Sequence, residues 1–268
     1  MQYSSNSHTF AICAYKQSQF LEDHISSLIN QTVKSKIIMV TSTPNPYIQS
    51  LADQYQIELF VNHGESGITQ DWNFALQCVK TPLATIAHQD DIYDETYTEH
   101  VLRAANNVSR PLIIFSDYAE IRDGEKVLKN HLLSVKRIML KPLEIKSFHR
   151  SIFIRRRILS LGSPICCPSV TYNLEALDQP IFHNHFRSDE DWEAWEKISR
   201  LKGSFVYMKK ILMCHRIHKD SETSAIIGDT GRSQEDFEMF CKFWPKWIAG
   251  IIEKFYSRSE KSNELENE

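Results

Sequence analysis

The sequence lacks the features of several large classes of protein. No apolar run approaches the roughly 18 residues that a membrane-spanning helix requires. The first residues show neither the basic nor the apolar region of a signal peptide, so we expect a cytoplasmic protein. The formal net charge of −3 gives no electrostatic case for nucleic acid as a partner. Hydrophobic residues at 42% and charged residues at 24% are typical of a soluble globular chain.

Paired cysteines and linker sequences are also missing. The six cysteines are scattered, without a C-x-x-C pair or the histidine spacing of a zinc site. We expect free thiols that pack as small core residues in a reducing compartment. No Gly/Ser linker, internal repeat or low-complexity tract divides the chain. The sequence therefore predicts one continuous fold.

Apolar strands alternate with amphipathic helices over the first part of the chain. In the first helix, Leu21, Ile25 and Leu28 recur at helical spacing. The order of strand, helix and strand predicts right-handed crossovers and a parallel sheet. The four predicted strands are residues 10–15, 36–40, 57–61 and 82–87.

Two adjacent carboxylates, Asp90 and Asp91, follow the fourth predicted strand. Ligands of open α/β sheets bind at this edge, and hard oxygen ligands suit Mg²⁺ or Mn²⁺ with a phosphate-bearing substrate. The alternative is structural, because aspartate commonly caps a helix, and a helix is predicted to begin near Tyr93. These two residues alone do not decide between a metal site and a helix cap.

Residues 27–32, S-L-I-N-Q-T, and the H-Q-D-D of residues 88–91 carry a family resemblance. Both segments resemble motifs of family 2 glycosyltransferases, in which S-L-x-x-Q-T ends the first helix and an aspartate-containing metal motif follows the fourth strand. The resemblance implies the GT-A fold, a Rossmann-like α/β fold with a mostly parallel central sheet flanked by helices. It also implies a nucleotide-sugar donor whose diphosphate is held by Mn²⁺ or Mg²⁺, with Asp90 and Asp91 as ligands.

Three positions near the implied donor site differ from the family pattern. His88 stands at the first acidic position of the metal motif. The turn after the second strand, residues 41–45, lacks the usual acidic pair, so base recognition is expected to rest on hydroxyls such as that of Ser42 or on Asn45. Asp71 stands where many members have an Arg-Asn pair. It is either a nucleotide contact or a solvent-exposed residue at a helix N-terminus.

A second acidic cluster lies at residues 189–191. One interpretation is structural: Ser188 and Asp191 form a capping box for a helix with its tryptophans inward and with Glu193 and Glu196 outward. The other follows from the resemblance, since family 2 enzymes carry a Glu-Asp pair here. It implies that Asp191 is the general base that deprotonates the acceptor hydroxyl.

Two further segments are ambiguous in the sequence. The pair Arg216 and His218 resembles the Arg-x-His of the family, which implies contacts to the diphosphate and the metal, although a structural histidine is the alternative. Asp117 is predicted to follow a strand that ends at residue 115, either near the sugar or in a solvated turn. Residues 130–161 are strongly basic, which is typical of a solvated helix face or of attraction to a phosphate-bearing acceptor or an anionic bilayer.

The C-terminal part predicts two amphipathic helices that divide at Pro245. Their apolar stripes indicate core or homodimer contacts, and aromatic residues beside Lys246, Lys254 and Arg258 suit an interfacial helix as the alternative. We expect a GT-A domain over residues 1–223, with a nucleotide-binding half at about 8–123 and an acceptor half at about 124–223. Helices are expected at 224–258 and a disordered tail at 259–268.

Taken together, the motifs predict an inverting glycosyltransferase. It would move a sugar from a nucleotide-diphosphate donor, with UDP-sugar as the expected donor, to a glycan, lipid-linked or protein-linked hydroxyl acceptor. Cell-surface polysaccharide synthesis, at the inner face of the membrane, is what the family implies. The competing hypothesis is a catalytically silent sugar-nucleotide-binding partner on the same fold, suggested by His88 and the altered turn. A nucleotidyltransferase would leave the second acidic cluster unexplained.

Overall fold

The computed structural model describes residues 2–65, 67–218 and 231–265 of the chain. The strands are β1 His8–Cys13, β2 Lys36–Thr41, β3 Glu58–Val61, β4 Leu83–His88, β5 Ile92–Tyr93, β6 Pro111–Arg122, β7 Glu125–Val127, β8 Val170–Asn173 and β9 Ser204–Ile217. The helices are α1 Leu21–Ile29, α2 Pro46–Gln54, α3 Ile68–Cys78, α4 Tyr97–Asn106, α5 His131–Leu140, α6 Ile152–Leu159, α7 Glu190–Ser199, α8 Gly231–Cys241 and α9 Lys246–Leu265.

One sheet runs through the described part of the molecule in the order β3-β2-β1-β4-β8-β6-β9-β5, with β7 paired to β6. Strands β1 to β4 are parallel neighbours, as the alternation of strands and helices predicts. Strand β8 is antiparallel to both β4 and β6, so β6 and its parallel neighbour β9 run in the same direction as the first four strands. The prediction of an α/β fold with a mostly parallel sheet is confirmed.

Strand β6 is longer than the sequence predicts, and its partner β9 is also long. Strand β6 does not end at Phe115 but continues to Arg122, and β9 continues from Ser204 to Ile217. The two pair in parallel over most of their length, with register shifts around Asp117. Asp117 therefore lies within a strand rather than after one, where the Nε atom of Arg137 donates to its carboxylate at 2.8 Å. Because Arg137 compensates the charge of Asp117, a carboxylate can lie within this buried strand.

Helices cover both faces of the sheet and bury two apolar clusters. On one face α1, α2 and α4 pack around Phe10, and the predicted inward residues of α1 are all buried. On the other face α3, α6, α7 and α8 pack around Trp192 and Trp195, both of which are fully buried. The carboxyl ends of β1, β2 and β4 remain uncovered by these helices, as parallel strands with crossover helices require.

The C-terminal helices pack against α6 and α7. They divide at Pro245, as predicted, and α9 extends to Leu265, into the stretch for which the sequence predicts a disordered tail. The predicted domain boundary at residue 223 and the side chain of Arg258 lie outside the described residues. Within the described part, no helix combines the length and apolar character needed to cross a membrane.

Candidate active site

Asp90 and Asp91 lie directly after β4, at the carboxyl end of the parallel strands. The Oδ2 atom of Asp90 is 2.9 Å from Nε2 of His218. The backbone N–H of Arg216 donates to Oδ1 of Asp91 at 2.9 Å, and Nε of Arg216 donates to the carbonyl of Asp90 at 2.9 Å. The fold thus brings together four predicted site residues from two distant parts of the chain.

The pairing of β5 with β9 explains why Asp90 and Asp91 lie beside Arg216 and His218. Ile92 and Tyr93 pair antiparallel with Cys214 and Met213 of β9, so the residues just before β5 lie beside the end of β9. The interpretation of Asp90 and Asp91 as caps of an adjacent helix is wrong, because β5 intervenes and α4 begins only at Tyr97.

Asp91 and His215 form a buried ion pair behind Asp90. Nδ1 of His215 is 3.0 Å from Oδ1 of Asp91, whose side chain is fully buried. Burial raises the pKa of Asp91, but His215 outweighs this and holds the pKa below its usual range. Burial lowers the pKa of His215, and Asp91 reverses the shift and raises it. We infer a carboxylate and an imidazolium, which fix the end of β9 against Asp90.

His88 occupies the first position of the metal motif in a neutral form. Burial lowers the pKa of His88, and its ring stacks on Trp72 with centroids 5.3 Å apart. Its Nε2 atom has no hydrogen-bond partner among the described residues. The departure from an acidic residue at this position therefore replaces a carboxylate with an aromatic stack against α3.

The residues around Asp90 fit a divalent metal ion in part. The side chains of Asp90 and His218 are 17% and 24% exposed, so a ligand can reach both from solvent. Among the described residues no three His, Cys, Asp or Glu side chains form a group that could hold a metal by themselves. Mg²⁺ bound with a diphosphate takes only one or two carboxylates from the protein and phosphate oxygens from the substrate. Asp90 supplies one such carboxylate, whereas His218 beside it would add an imidazole ligand outside this oxygen pattern.

Asp91 is less accessible to a metal than Asp90. One of its oxygens is engaged by β9, and its Oδ2 atom is buried without a hydrogen-bond partner among the described residues. Its assignment as a metal ligand stays a prediction.

Asp71 links the ends of β2 and β3. Its carboxylate accepts hydrogen bonds from Oγ of Ser42 at 2.6 Å and from Nδ2 of Asn62 at 2.8 Å. Asp71 is buried, so it is not the solvent-exposed helix residue of the structural alternative. Two neutral donors hold it at the edge of the sheet, and the predicted nucleotide contacts of Ser42 and Asp71 remain predictions.

The turn after β2 is held by Asn45. Its Oδ1 atom caps α2 by accepting from the N–H of Ile48 at 3.0 Å, and its Nδ2 atom donates to the carbonyls of Lys16 and Thr43. The side chain is thus committed to the fold, and it is not available for the base recognition that the sequence suggests. A groove of about 620 Å³ opens beside this turn, and it is lined by Lys16, Gln17, Thr43, Pro44, Asn45, Pro46 and Tyr47.

Asp191 lies in the first turn of α7. The predicted capping box is wrong, because Asp189 is the N-cap and the Oγ atom of Ser188 donates instead to Glu235 of α8 at 2.5 Å. Burial raises the pKa of Asp191 to about 6, although the N–H of Trp192 and the charge of Lys136 oppose the shift. A carboxyl group with this pKa is largely ionised at neutral pH and can accept a proton from a hydroxyl.

Lys136 is a site residue that sequence reasoning missed. Its Nζ atom donates to the Tyr118 hydroxyl at 3.1 Å. Burial lowers the pKa of Lys136, but Tyr118, Cys166 and Asp191 reverse the shift and raise it. The pKa of the buried Cys166 thiol is raised first by burial and then by Asp91, with further effects of Lys136 and Asp191. Cys166 therefore lies within electrostatic reach of Asp91 and of Asp191, so the two acidic clusters are neighbours in the fold.

The acidic residues that follow Asp191 do not face solvent as predicted. Glu193 and Glu196 are 3% and 2% exposed. Glu193 accepts from Lys242 at 2.9 Å, and Glu196 pairs with Arg156 and Arg200. The basic segment is accordingly not a uniformly solvated helix face. Its Arg155 is fully buried and donates to the carbonyls of Ser199, Leu201 and Gly203.

Comparison with known proteins identifies the family. The family model described as Glycosyl transferase family 2 matches residues 9–177, more than half of the chain. No curated protein matches the chain.

Solved structures match the fold over nearly the whole chain. Residues 1–349 of S. aureus TarS in complex with UDP-GlcNAc match with a TM-score of 0.61 at 13% identity, covering 92% of this chain and 70% of that one. The mannosyltransferase PcManGT from Pyrobaculum calidifontis, in complex with GDP-Man and Mn²⁺, matches with a TM-score of 0.61 at 12% identity, covering 97% and 74%. In another structure of S. aureus TarS, the match covers 92% of this chain and 42% of that one. The chain therefore belongs to glycosyl transferase family 2 and is a glycosyltransferase of the GT-A fold.

Proposed function

We propose that the protein transfers a sugar from a nucleoside-diphosphate sugar to a hydroxyl acceptor with inversion at the anomeric carbon, and that Asp191 is the general base. The observation that supports this proposal is that two acidic clusters, one with Asp90 and Asp91 and one with Asp191, are neighbours in the fold. Asp90 pairs with His218 on one side, and Asp191 lies within electrostatic reach of Cys166 on the other. A single displacement needs both a site for the leaving diphosphate and a base for the acceptor.

Asp90, His218 and Arg216 form the diphosphate side of the proposed site. Asp90 and His218 would hold Mn²⁺ or Mg²⁺ together with phosphate oxygens. A bound divalent cation neutralises the charge that grows on the leaving diphosphate. The guanidinium of Arg216 lies 4.2 Å from the ring centroid of Phe20 and is held by the carbonyl of Asp90. This fixed positive charge would attract the diphosphate from the side of α1.

Asp191 and Lys136 form the acceptor side. Asp191 would take the proton of the acceptor hydroxyl as its oxygen attacks the anomeric carbon. The nearby ammonium of Lys136 favours the ionised form of Asp191 and so keeps the base ready at neutral pH. The Nζ–Tyr118 hydrogen bond holds that ammonium in position.

We propose that the nucleotide binds in the groove beside the turn after β2. The groove lies next to Ser42 and Asp71, at the sheet edge where Asp90 also lies. The relatives are complexes with UDP-GlcNAc and with GDP-Man and Mn²⁺, which supports a nucleotide-sugar donor in general. We propose a UDP-sugar as donor and a glycan, lipid-linked or protein-linked acceptor in cytoplasmic synthesis of cell-surface polysaccharide.

A thermal-shift screen of UDP-, GDP- and dTDP-sugars, each with and without Mn²⁺, tests the donor site. A ligand at 100 times its Kd stabilises the native state by roughly 2.7 kcal/mol, which is readily measured as a rise in Tm. We expect a shift that requires the metal and is lost in Asp90→Ala. The control is Asp53→Ala, which removes an exposed aspartate of α2 and should leave the shift unchanged. No shift with any donor would contradict the proposal, and a metal-dependent shift without release of nucleoside diphosphate would favour the silent sugar-nucleotide-binding partner.

A further inference from the structure

The C-terminal helix α9 carries an exposed apolar stripe that the proposed reaction does not use. Trp247, Ile251 and Phe255 are 71%, 50% and 67% exposed. They recur every four residues, so they lie on one side of the helix. Together with Lys246 and Lys254, both exposed, they form what we call the α9 face.

The opposite side of α9 packs against the rest of the protein. Ala249 is fully buried, and the ring of Tyr256 packs against Phe240 with centroids 5.5 Å apart. The Tyr256 ring also lies where a side chain at Gly162 would have to be. The helix is therefore anchored through one side, and the three large apolar residues of the α9 face contribute nothing to that anchoring.

Basic and aromatic groups of α6 extend this surface where the chain enters α9. The Arg157 guanidinium lies 4.4 Å from the ring centroid of Trp244 and 5.7 Å from that of Phe153, which is 68% exposed. A groove of about 110 Å³ lies between α6 and the end of α8, and it is lined by Phe153, Arg156, Arg157, Ser160 and Phe243. Arg156 is paired with Glu196, so the exposed guanidinium of Arg157 is the group beside this groove that matches the phosphate of a lipid headgroup.

We propose that the α9 face, with Phe153 and Arg157 beside it, binds the surface of an anionic lipid bilayer. Aromatic and aliphatic side chains on one side of a helix, flanked by lysines, enter the boundary between headgroups and acyl chains. Charge distinguishes a bilayer from a second copy of the chain. In a two-fold dimer through this face the lysines would approach lysines, because both copies contribute the same surface. The only acidic residue of positions 246–257 is Glu253, which is partly buried.

Vesicle co-sedimentation without donor or acceptor tests the proposal independently of catalysis. The vesicles contain equimolar phosphatidylglycerol and phosphatidylcholine, and vesicles of phosphatidylcholine alone serve as reference. The double variant Trp247→Ser/Phe255→Ser should lower the affinity for anionic vesicles by on the order of a hundredfold. Its control is Leu128→Ser/Leu201→Ser, which removes two exposed apolar residues of other segments and should bind like the wild type.

A second pair of variants separates charge from apolar contact. Lys246→Glu/Lys254→Glu keeps the apolar stripe and should weaken binding to anionic vesicles by roughly tenfold or more. Lys129→Glu/Lys202→Glu changes the net charge equally at exposed positions elsewhere and should have little effect. Tm and far-UV circular dichroism show whether each variant is folded.

Two results would overturn the proposal. Wild-type protein that stays in the supernatant with anionic vesicles would do so, and light scattering would then show whether a second copy covers the α9 face. Binding that is equally strong in both α9-face variants and in their controls would also do so. Binding that falls in the two α9-face variants alone supports it.

Discussion

The acidic residues at the sheet edge of the first half of the chain, residues 8–123, and those of α7 in the second half, residues 124–257, have different kinds of partners. In the first half, Asp71 is held by neutral donors and Asp90 by an imidazole, and both lie at the open edge of the sheet. In the second half, Glu193 and Glu196 are paired with lysine and arginine and join α7 to α6 and α8. Acidic residues thus lie at the proposed ligand site in one half and hold helices together in the other.

Asp191 is the exception within the second half. It lies two residues before Glu193 in the same helix, yet burial raises its pKa to about 6. Burial also raises the pKa of Glu193, but Lys242 and Lys197 outweigh it and bring the pKa below its usual range. Among the described residues Asp191 forms no ion pair like those of Glu193, and a buried carboxyl without such a pair keeps its affinity for a proton.

Substitution of the candidate base should have the largest effect. Asp191→Asn removes the proton acceptor and keeps the size of the side chain, so turnover should fall by about 10²- to 10⁴-fold. Release of nucleoside diphosphate from the donor identified by thermal shift measures it. Glu193→Gln, two residues away, should retain turnover in the folded fraction. Equal losses in the two variants would remove the distinction between them.

The pH dependence of turnover sharpens the same contrast. Because Asp191 must be ionised to accept a proton, activity should rise with pH through about 6 in the wild type. Lys136 lowers the pKa of Asp191, so Lys136→Gln should move this rise to higher pH and reduce activity most at mildly acidic pH. A profile of the variant that coincides with that of the wild type would show that Lys136 does not act on the base.

Breaking an ion pair of α7 should lower the free energy of unfolding and should not lower the catalytic rate of the folded protein. Glu196→Gln leaves Arg156 without its buried partner, and we expect a loss of about 2 kcal/mol in the free energy of unfolding. The matched control is Glu58→Gln, which breaks the exposed pair of Glu58 with Lys36 and should cost less than about 1 kcal/mol. Urea unfolding of both variants measures the difference, and similar losses would contradict a structural role for α7 charges.

Substitution of Asp189 should have a smaller effect on stability, and this effect should be stabilising. Its pKa is raised well above its usual range by burial and then by Asp236, and its Oδ2 atom has no hydrogen-bond partner among the described residues. The native state therefore holds a proton that the unfolded chain releases, so this residue lowers stability as pH rises above the unfolded pKa. Asp189→Asn should raise Tm at neutral pH by roughly 2 to 4 °C. The gain should shrink as the pH falls toward about 3, below the ordinary aspartate pKa of about 3.9, where the carboxyl is mostly protonated in both states. A lower Tm of the variant at neutral pH would contradict this.

The sequence predicts the first half better than the second for a physical reason. Strand and helix patterns there are local, and the position of Asp90 follows from a strand that ends at the sheet edge. The roles of Ser188, Glu193 and Glu196 depend instead on α6 and α8, which lie far away in sequence. Their contacts leave no local pattern.

At the candidate site, the contacts of Lys136 and Asn45 likewise could not be predicted from the local sequence. Lys136 looks like one of many basic residues until α5 places it beside Tyr118. Asn45 looks free to bind a base until its three hydrogen bonds within the fold are seen. The family resemblance predicts roles for Asp90, Asp191, Arg216 and His218, but it could not show which neighbours hold them.

Calorimetric titration of the identified donor, with Mn²⁺, into Asp90→Asn and Asp191→Asn tests the central claim most directly. The claim is that the first acidic cluster binds the donor and the second deprotonates the acceptor. Asp191→Asn should bind the donor with an affinity within a few-fold of the wild type while its turnover is lost, and Asp90→Asn should lose measurable binding. Loss of donor binding in Asp191→Asn, or wild-type binding in Asp90→Asn, would contradict the account.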